Sequence, residues 1–139
     1  MIKKIVLVGG CFDLFHYGHL QFLKAAKKQG NYLVVAVDPD DFILLRKKRE
    51  PIHTQKQRVE ILKNLRFVDQ VIALPLLKTY NDYLALVKKI KPAVIAVTAG
   101  DPQLKNKQKQ AQTVGAKVKV VTPLIKNFSS TSIIAKLDN

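Results

Sequence analysis

The chain has 139 residues, 47% hydrophobic and 24% charged, which is ordinary for one globular domain with a real core. Its formal net charge of +14 draws anions such as nucleic acid, a membrane surface or small polyphosphates, although a solvated cationic surface needs no such partner. The single cysteine, Cys11, excludes an internal disulfide. No stretch reaches the roughly 20 apolar residues of a membrane span, so a cytoplasmic, single-domain protein over residues 1–139 is expected.

In chain order, the apolar run Ile5 to Val8 is the first expected strand. Leu20, Leu23, Ala26 and Lys27 share one face of a helix that Gly30 would stop. Leu33 to Val37 is the second strand, and the basic stretch from Asp38 to His53 reads as a long connection of the kind that often covers a site. Val59, Leu62 and Leu65 mark a helix, and Gln70 to Ala73 a third strand. Tyr80, Tyr83, Leu84 and Val87 fall at helical spacing, followed by Ala93 to Val97 as a strand. Asp101-Pro102 opens another helix, Val118 to Val121 is the fifth strand, and Ile133 to Leu137 a short terminal helix. The strands are Val- and Ile-rich without alternation, as when both sheet faces are covered. Strand and helix alternate throughout. The fold class expected is therefore α/β, a Rossmann-like doubly wound sheet of about five parallel strands.

The segment richest in chemistry follows the first strand, where Gly9-Gly10 leads into Cys11, Phe12, Asp13, His16, Gly18 and His19. In open α/β sheets ligands bind beyond the carboxyl ends of the strands. A helix beginning near Gly18 would present backbone N–H groups and its positive dipole end. His16 and His19, three apart, would face the same anion. This suits a triphosphate attacked at its α-phosphorus, with donors aimed at the oxygens that gain charge. Three other readings use the same residues. A dinucleotide site would take Asp38 as its acid but lacks Gly-x-Gly-x-x-Gly. A metal cluster could be drawn from Cys11, Asp13, His16 and His19, without the usual zinc spacing. Finally, both histidines could simply cap a helix and pack. Near the other end, Ser129, Ser130, Thr131 and Ser132 precede the terminal helix, as an N-cap or as a second phosphate-holding terminus.

The stretch Gly10-Cys11-Phe12-Asp13-Leu14-Phe15-His16-Tyr17-Gly18-His19 resembles the His-x-Gly-His signature of the cytidylyltransferase-like nucleotidyltransferases. Arg66-Phe67-Val68-Asp69-Gln70-Val71 is similar to the Arg-Tyr-Val-Asp-Glu-Val of glycerol-3-phosphate cytidylyltransferases, and Phe128-Ser129-Ser130-Thr131 to their Ile-Ser-Thr-Thr. The resemblance implies a dimeric Rossmann-like enzyme that uses Mg2+ with a nucleoside triphosphate, CTP or ATP. A small phosphorylated acceptor would attack the α-phosphorus directly and release pyrophosphate.

By that likeness His16, His19, Lys48 and Arg66 would be catalytic. Gly10, Cys11, Phe12, Gly18, Lys48, Asp101 and Ser129 to Ser132 would hold the nucleotide with the histidines. Asp13, Arg46, Arg58 and Arg66 would serve the acceptor side, with Arg58 and Arg66 alternatively stabilising the site. A one-residue shift would give the role of Lys48 to Lys47. The chain departs from the glycerol-phosphate type at Cys11, which looks more like ADP-heptose synthases, at Leu124 to Asn127, and at Thr98-Ala99-Gly100-Asp101-Pro102. CMP transfer of the glycerol-3-phosphate cytidylyltransferase type is the leading expectation. AMP transfer of the ADP-heptose synthase or FAD synthase type is the alternative. A non-catalytic nucleotide- or nucleic-acid-binding module is the reading from another class.

Overall fold

The computed structural model describes residues 2–123 and 129–137. Five strands, β1 (Ile5–Gly10), β2 (Tyr32–Val37), β3 (Gln70–Ala73), β4 (Val94–Thr98) and β5 (Lys117–Thr122), form one sheet in the order β3-β2-β1-β4-β5, every pairing parallel. The strand order reverses between β1 and β4, so a crevice opens there beyond the carboxyl ends. The doubly wound α/β class expected from the sequence is the one observed.

The central strands are apolar on both faces because both faces are covered. Val6, Val8, Leu33, Val35 and Val37 pack toward α1 (Tyr17–Lys27) and α3 (Gln55–Lys63) with Leu23, Ala26 and Leu62. Leu7, Val34, Ala36, Ile95 and Val97 pack toward α4 (Tyr80–Ile90) and α5 (Leu104–Thr113) with Val87 and Ala111. The edge strands differ from expectation in being partly open, and Val120 of β5 is 54% exposed.

Helix starts follow local chemistry. Thr54 and Gln57 exchange capping bonds at α3, as Thr79 and Asp82 do at α4. Asp38 to His53 is not a long loop, because Asp40–Lys47 forms the helix α2, ended by Lys48 in the left-handed conformation (φ 54°). The helix opened by Asp101-Pro102 starts slightly later, at Leu104, with Asp101 Oδ1 accepting from Gln103 N. Gly30 does not stop α1 by adopting positive φ. A Cβ there would lie 2.3 Å from the Lys4 carbonyl oxygen, so close backbone approach is what requires glycine.

Candidate active site

The loop leaving β1 is built around two buried charges. Asp13 accepts from Ile52 N and Arg49 Nη1 (both 2.9 Å) and from His53 N (2.9 Å), which latches the loop to the turn before α3. Burial raises its pKa, but the bonds from Ile52, Arg49 and His53 outweigh this and hold it below the ordinary carboxylate value. Arg58 is fully buried and donates to the carbonyls of Cys11, Asp38 and His53 and to Asp40 Oδ1. The sequence assigned both residues to the acceptor. Their bonds make Asp13 a latch and Arg58 the brace named as its alternative, neither presented to a ligand.

His16 is the N-cap of α1 and His19 its third residue. His16 Nδ1 accepts from Gly18 N at 3.0 Å, and His19 Nδ1 accepts from His16 N at 3.3 Å. The rings stack with centroids 3.7 Å apart, and His19 also meets Phe12 and Phe15. The capping reading is thus realised at the Nδ1 atoms, and Gly18 N is spent on it rather than left for a phosphate. With both Nδ1 atoms accepting, each neutral ring carries its proton on Nε2, and two N–H donors remain. His16 Nε2 is buried and has no hydrogen-bond partner among the described residues. Burial, then the positive charges of His16 and Lys47, push the His19 pKa down to about 3, and burial and Lys47 lower that of His16. The pair therefore acts as neutral donors.

Two cavities open at the carboxyl edge of the sheet. The smaller, about 260 Å3, is bounded by Gly9, Phe22 of α1 and the β4 end from Ala96 to Pro102. The larger, about 550 Å3, is bounded by Gly9, Gly10, Cys11 and Asp38, by Phe42 and Arg46 of α2, and by residues of α4 and α5. Gly9, Asp101, Pro102 and Lys107 border both. Asp101 is ion-paired with Lys107 at 2.6 Å. A Cβ on Gly10 would lie 3.0 Å from the Phe12 ring, a tight contact that the ring would have to yield to.

Several assignments change with the fold. Phe12 sits in the core at φ 52° beneath the loop and, like His16, His19 and Lys47, lies outside the lining of both cavities. Arg66 is exposed in the turn before β3, at the amino end of a parallel strand and thus at the opposite end of the sheet from the crevice. It does not join the site, either as a catalytic or as an acceptor residue. Arg46 borders the larger cavity, its guanidinium 5.4 Å from the Phe42 ring centroid. Lys47 and Lys48 are both exposed, but of the two it is the charge of Lys47 that lowers the pKa values of His16, His19 and Cys11. The one-residue shift is favoured. Ser129 caps α6 (Ser130–Leu137), its Oγ accepting from Ser132 N at 3.0 Å. Ser129, Thr131 and Ser132 border neither cavity. Leu124 to Phe128 lie outside the described residues. Sequence reasoning missed Tyr83, Asn106, Lys107 and Gln110 as cavity residues. They come from two helices that only the packed fold joins, and no local signal marks them.

Among the described residues no helix is long and apolar enough to cross a membrane. The chain is 48% identical to the FAD synthase of Thermococcus kodakarensis over 68% of its length, which spans 62% of that protein. It is 36% identical to the bifunctional protein HldE of Pseudomonas fluorescens over 99% of its length, covering 28% of that larger protein. The crystal structure of the lipopolysaccharide core biosynthesis protein from Thermoplasma volcanium superposes with a TM-score of 0.70 at 27% identity, over 89% of this chain and 98% of that one. Residues 7–136 match the profile described as Cytidylyltransferase-like. With this match spanning the strand-and-helix framework and the His16–His19 turn together, the chain belongs to the cytidylyltransferase-like family of nucleotidyltransferases.

Proposed function

We propose that this protein transfers AMP from ATP to FMN, forming FAD and pyrophosphate. The observation that carries this reading is the 48% identity to an FAD synthase across 68% of the chain. The larger cavity is compatible with it. Its 550 Å3 falls within the roughly 300–1,000 Å3 of small-molecule sites, and Phe42, Leu74, Leu77 and Tyr80 give it an apolar wall suited to a planar ring. A polyol phosphate would leave that wall unused. The expectation of CMP transfer to glycerol phosphate has no comparable support.

In this reading an oxygen of the FMN phosphate attacks the α-phosphorus of ATP. A new P–O bond forms, the bond to the bridging oxygen of the β-phosphate breaks, and pyrophosphate leaves with the electron pair. The Nε2–H groups of His16 and His19 donate to phosphate oxygens as negative charge builds. Lys47 and Arg46 add cationic charge beside two converging polyanions. No group of three His, Cys, Asp or Glu side chains able to hold a metal occurs among the described residues, and Asp101 is engaged by Lys107. The described residues thus form no cage for Mg2+, which would enter on the oxygens of ATP itself.

The test incubates the protein and Mg2+ with ATP or CTP against FMN, glycerol 3-phosphate and a heptose 1-phosphate, reading pyrophosphate and the chromatographed product. FAD from ATP and FMN is the expected result. CDP-glycerol formation, with no FAD, would overturn the assignment.

A further inference from the structure

The larger cavity contains two polar atoms for which the chemistry above finds no use. Tyr83 Oη and Gln110 Oε1 are buried, and neither has a hydrogen-bond partner among the described residues. Both residues border the cavity. Gln110 is 2% exposed, and its Nε2 donates to the Tyr80 carbonyl at 3.0 Å. That bond fixes the amide orientation, leaving Oε1 as an acceptor only. Tyr83 lies one turn along α4 from Tyr80. Burial, then the negative charges of Asp101 and Asp38, raise the pKa of its hydroxyl and keep it a protonated donor. Buried polar groups are almost always paired, so two orphans bordering one cavity mark a place where a ligand completes the bonding.

We propose that Tyr83 and Gln110 are specificity-determining residues that read an edge of the acceptor ring in which an N–H stands beside a carbonyl. The inference rests on the FMN reading above. The pyrimidine end of a flavin has N3–H between two carbonyls. Gln110 Oε1 accepts from N3–H, and the Tyr83 hydroxyl donates to the adjoining carbonyl. A sugar offers freely rotating hydroxyls and no such fixed alternation. Sites built on buried hydrogen bonds reject analogues that cannot make them, because the protein groups are then left unpaired.

The experiment compares FMN with its N3-methyl derivative as acceptors for the unmodified chain and for Tyr83→Phe, Gln110→Leu and Gln110→Glu, with melting temperatures confirming folding. Flavin fluorescence quenching gives binding, and FAD formation gives turnover. The unmodified chain should favour FMN by roughly tenfold or more in kcat/KM. Tyr83→Phe and Gln110→Leu should raise KM for FMN about five- to tenfold, leaving kcat and KM for ATP near their original values. Gln110→Leu should also erase the discrimination against the N3-methyl compound, which a purely structural role would not do. Gln110→Glu keeps the shape and an acceptor oxygen, so it should retain more discrimination than the Leu variant. Equal use of both flavins by the unmodified chain, or unchanged discrimination in the folded variants, overturns the proposal and leaves FAD synthesis standing. A protein that ignores FMN but adenylylates another acceptor sinks the functional reading, and this proposal with it.

Discussion

Arg58 Nη1 donates to the carbonyl of Cys11 at 2.8 Å, so a helix on one side of the sheet holds the loop that borders the cavity. The same guanidinium reaches the Asp38 and His53 carbonyls and Asp40 Oδ1, joining the ends of β1 and β2 to the start of α2. Arg58→Ala would leave the three backbone carbonyls without this donor and should cost roughly 3 kcal/mol or more. Arg58→Lys keeps the charge but not the planar fork, and should recover only part of that. Urea unfolding measures both. A loss below about 1 kcal/mol for the Ala variant would contradict the bracing role.

The histidine pair makes a pH prediction whose sign is fixed. His19 has its folded pKa pushed down to about 3 from an ordinary 6.5, first by burial, then by the charges of His16 and Lys47. Between those values the unfolded chain binds a proton that the folded chain refuses, so stability rises with pH across that window. It is fully present above the unfolded value and is lost progressively on acidification. His16 shifts the same way. The lowered pKa of Asp13 adds its own loss only at more acidic pH, below the ordinary carboxylate value. Urea midpoints at pH 7 and pH 5 should therefore fall for the unmodified chain, and fall less for His19→Gln. An equal fall in both would show that His19 does not carry the dependence.

The strands were legible because a buried parallel sheet leaves unbroken Val and Ile runs, as at Leu33 to Val37. Helix α2 was not, since Ile43 is its only buried residue and one apolar contact makes no periodic stripe. The sequence also placed the histidines correctly at a strand-to-helix turn, where the local motif and its spacing survive folding intact. It gave Asp13 to the acceptor and left Arg58 between acceptor and brace, because a charged residue on paper does not reveal whether protein or ligand supplies its partner. Tyr83 and Gln110 meet only through the packing of α4 on α5, and nothing in either segment alone announces this.

Lys47 and Lys48 are adjacent in sequence but differ in reach. Only Lys47 has a charge felt at both imidazoles and at Cys11. Removing a preorganised positive charge from a phosphoryl-transfer site commonly costs about 10- to 1,000-fold in turnover. Lys47→Ala should fall in that range, while Lys48→Ala and Arg66→Ala should stay within about threefold, since the charge of Lys48 does not act on the histidines and Arg66 is at the far end of the sheet. Pyrophosphate release under saturating substrates ranks the three. A larger loss for Lys48→Ala than for Lys47→Ala would reverse the assignment of the cation.

Cys11 borders the cavity, and its thiol should nonetheless be a poor nucleophile. Burial first, then the negative charge of Asp38, push its pKa up to about 11 from 9.0, with Sγ 3.8 Å from Asp38 Oδ2. Only the thiolate reacts, so at pH 8 alkylation by iodoacetamide should run roughly 100-fold slower than at an unperturbed cysteine. Asp38→Asn removes the carboxylate charge but leaves the burial, and should therefore restore part of the rate and not all of it. Mass-spectrometric time courses of the two proteins supply the comparison. If the unmodified chain is alkylated as fast as a free thiol, then Cys11 is neither buried nor held beside a carboxylate, and the cavity wall at the end of β1 must be drawn differently.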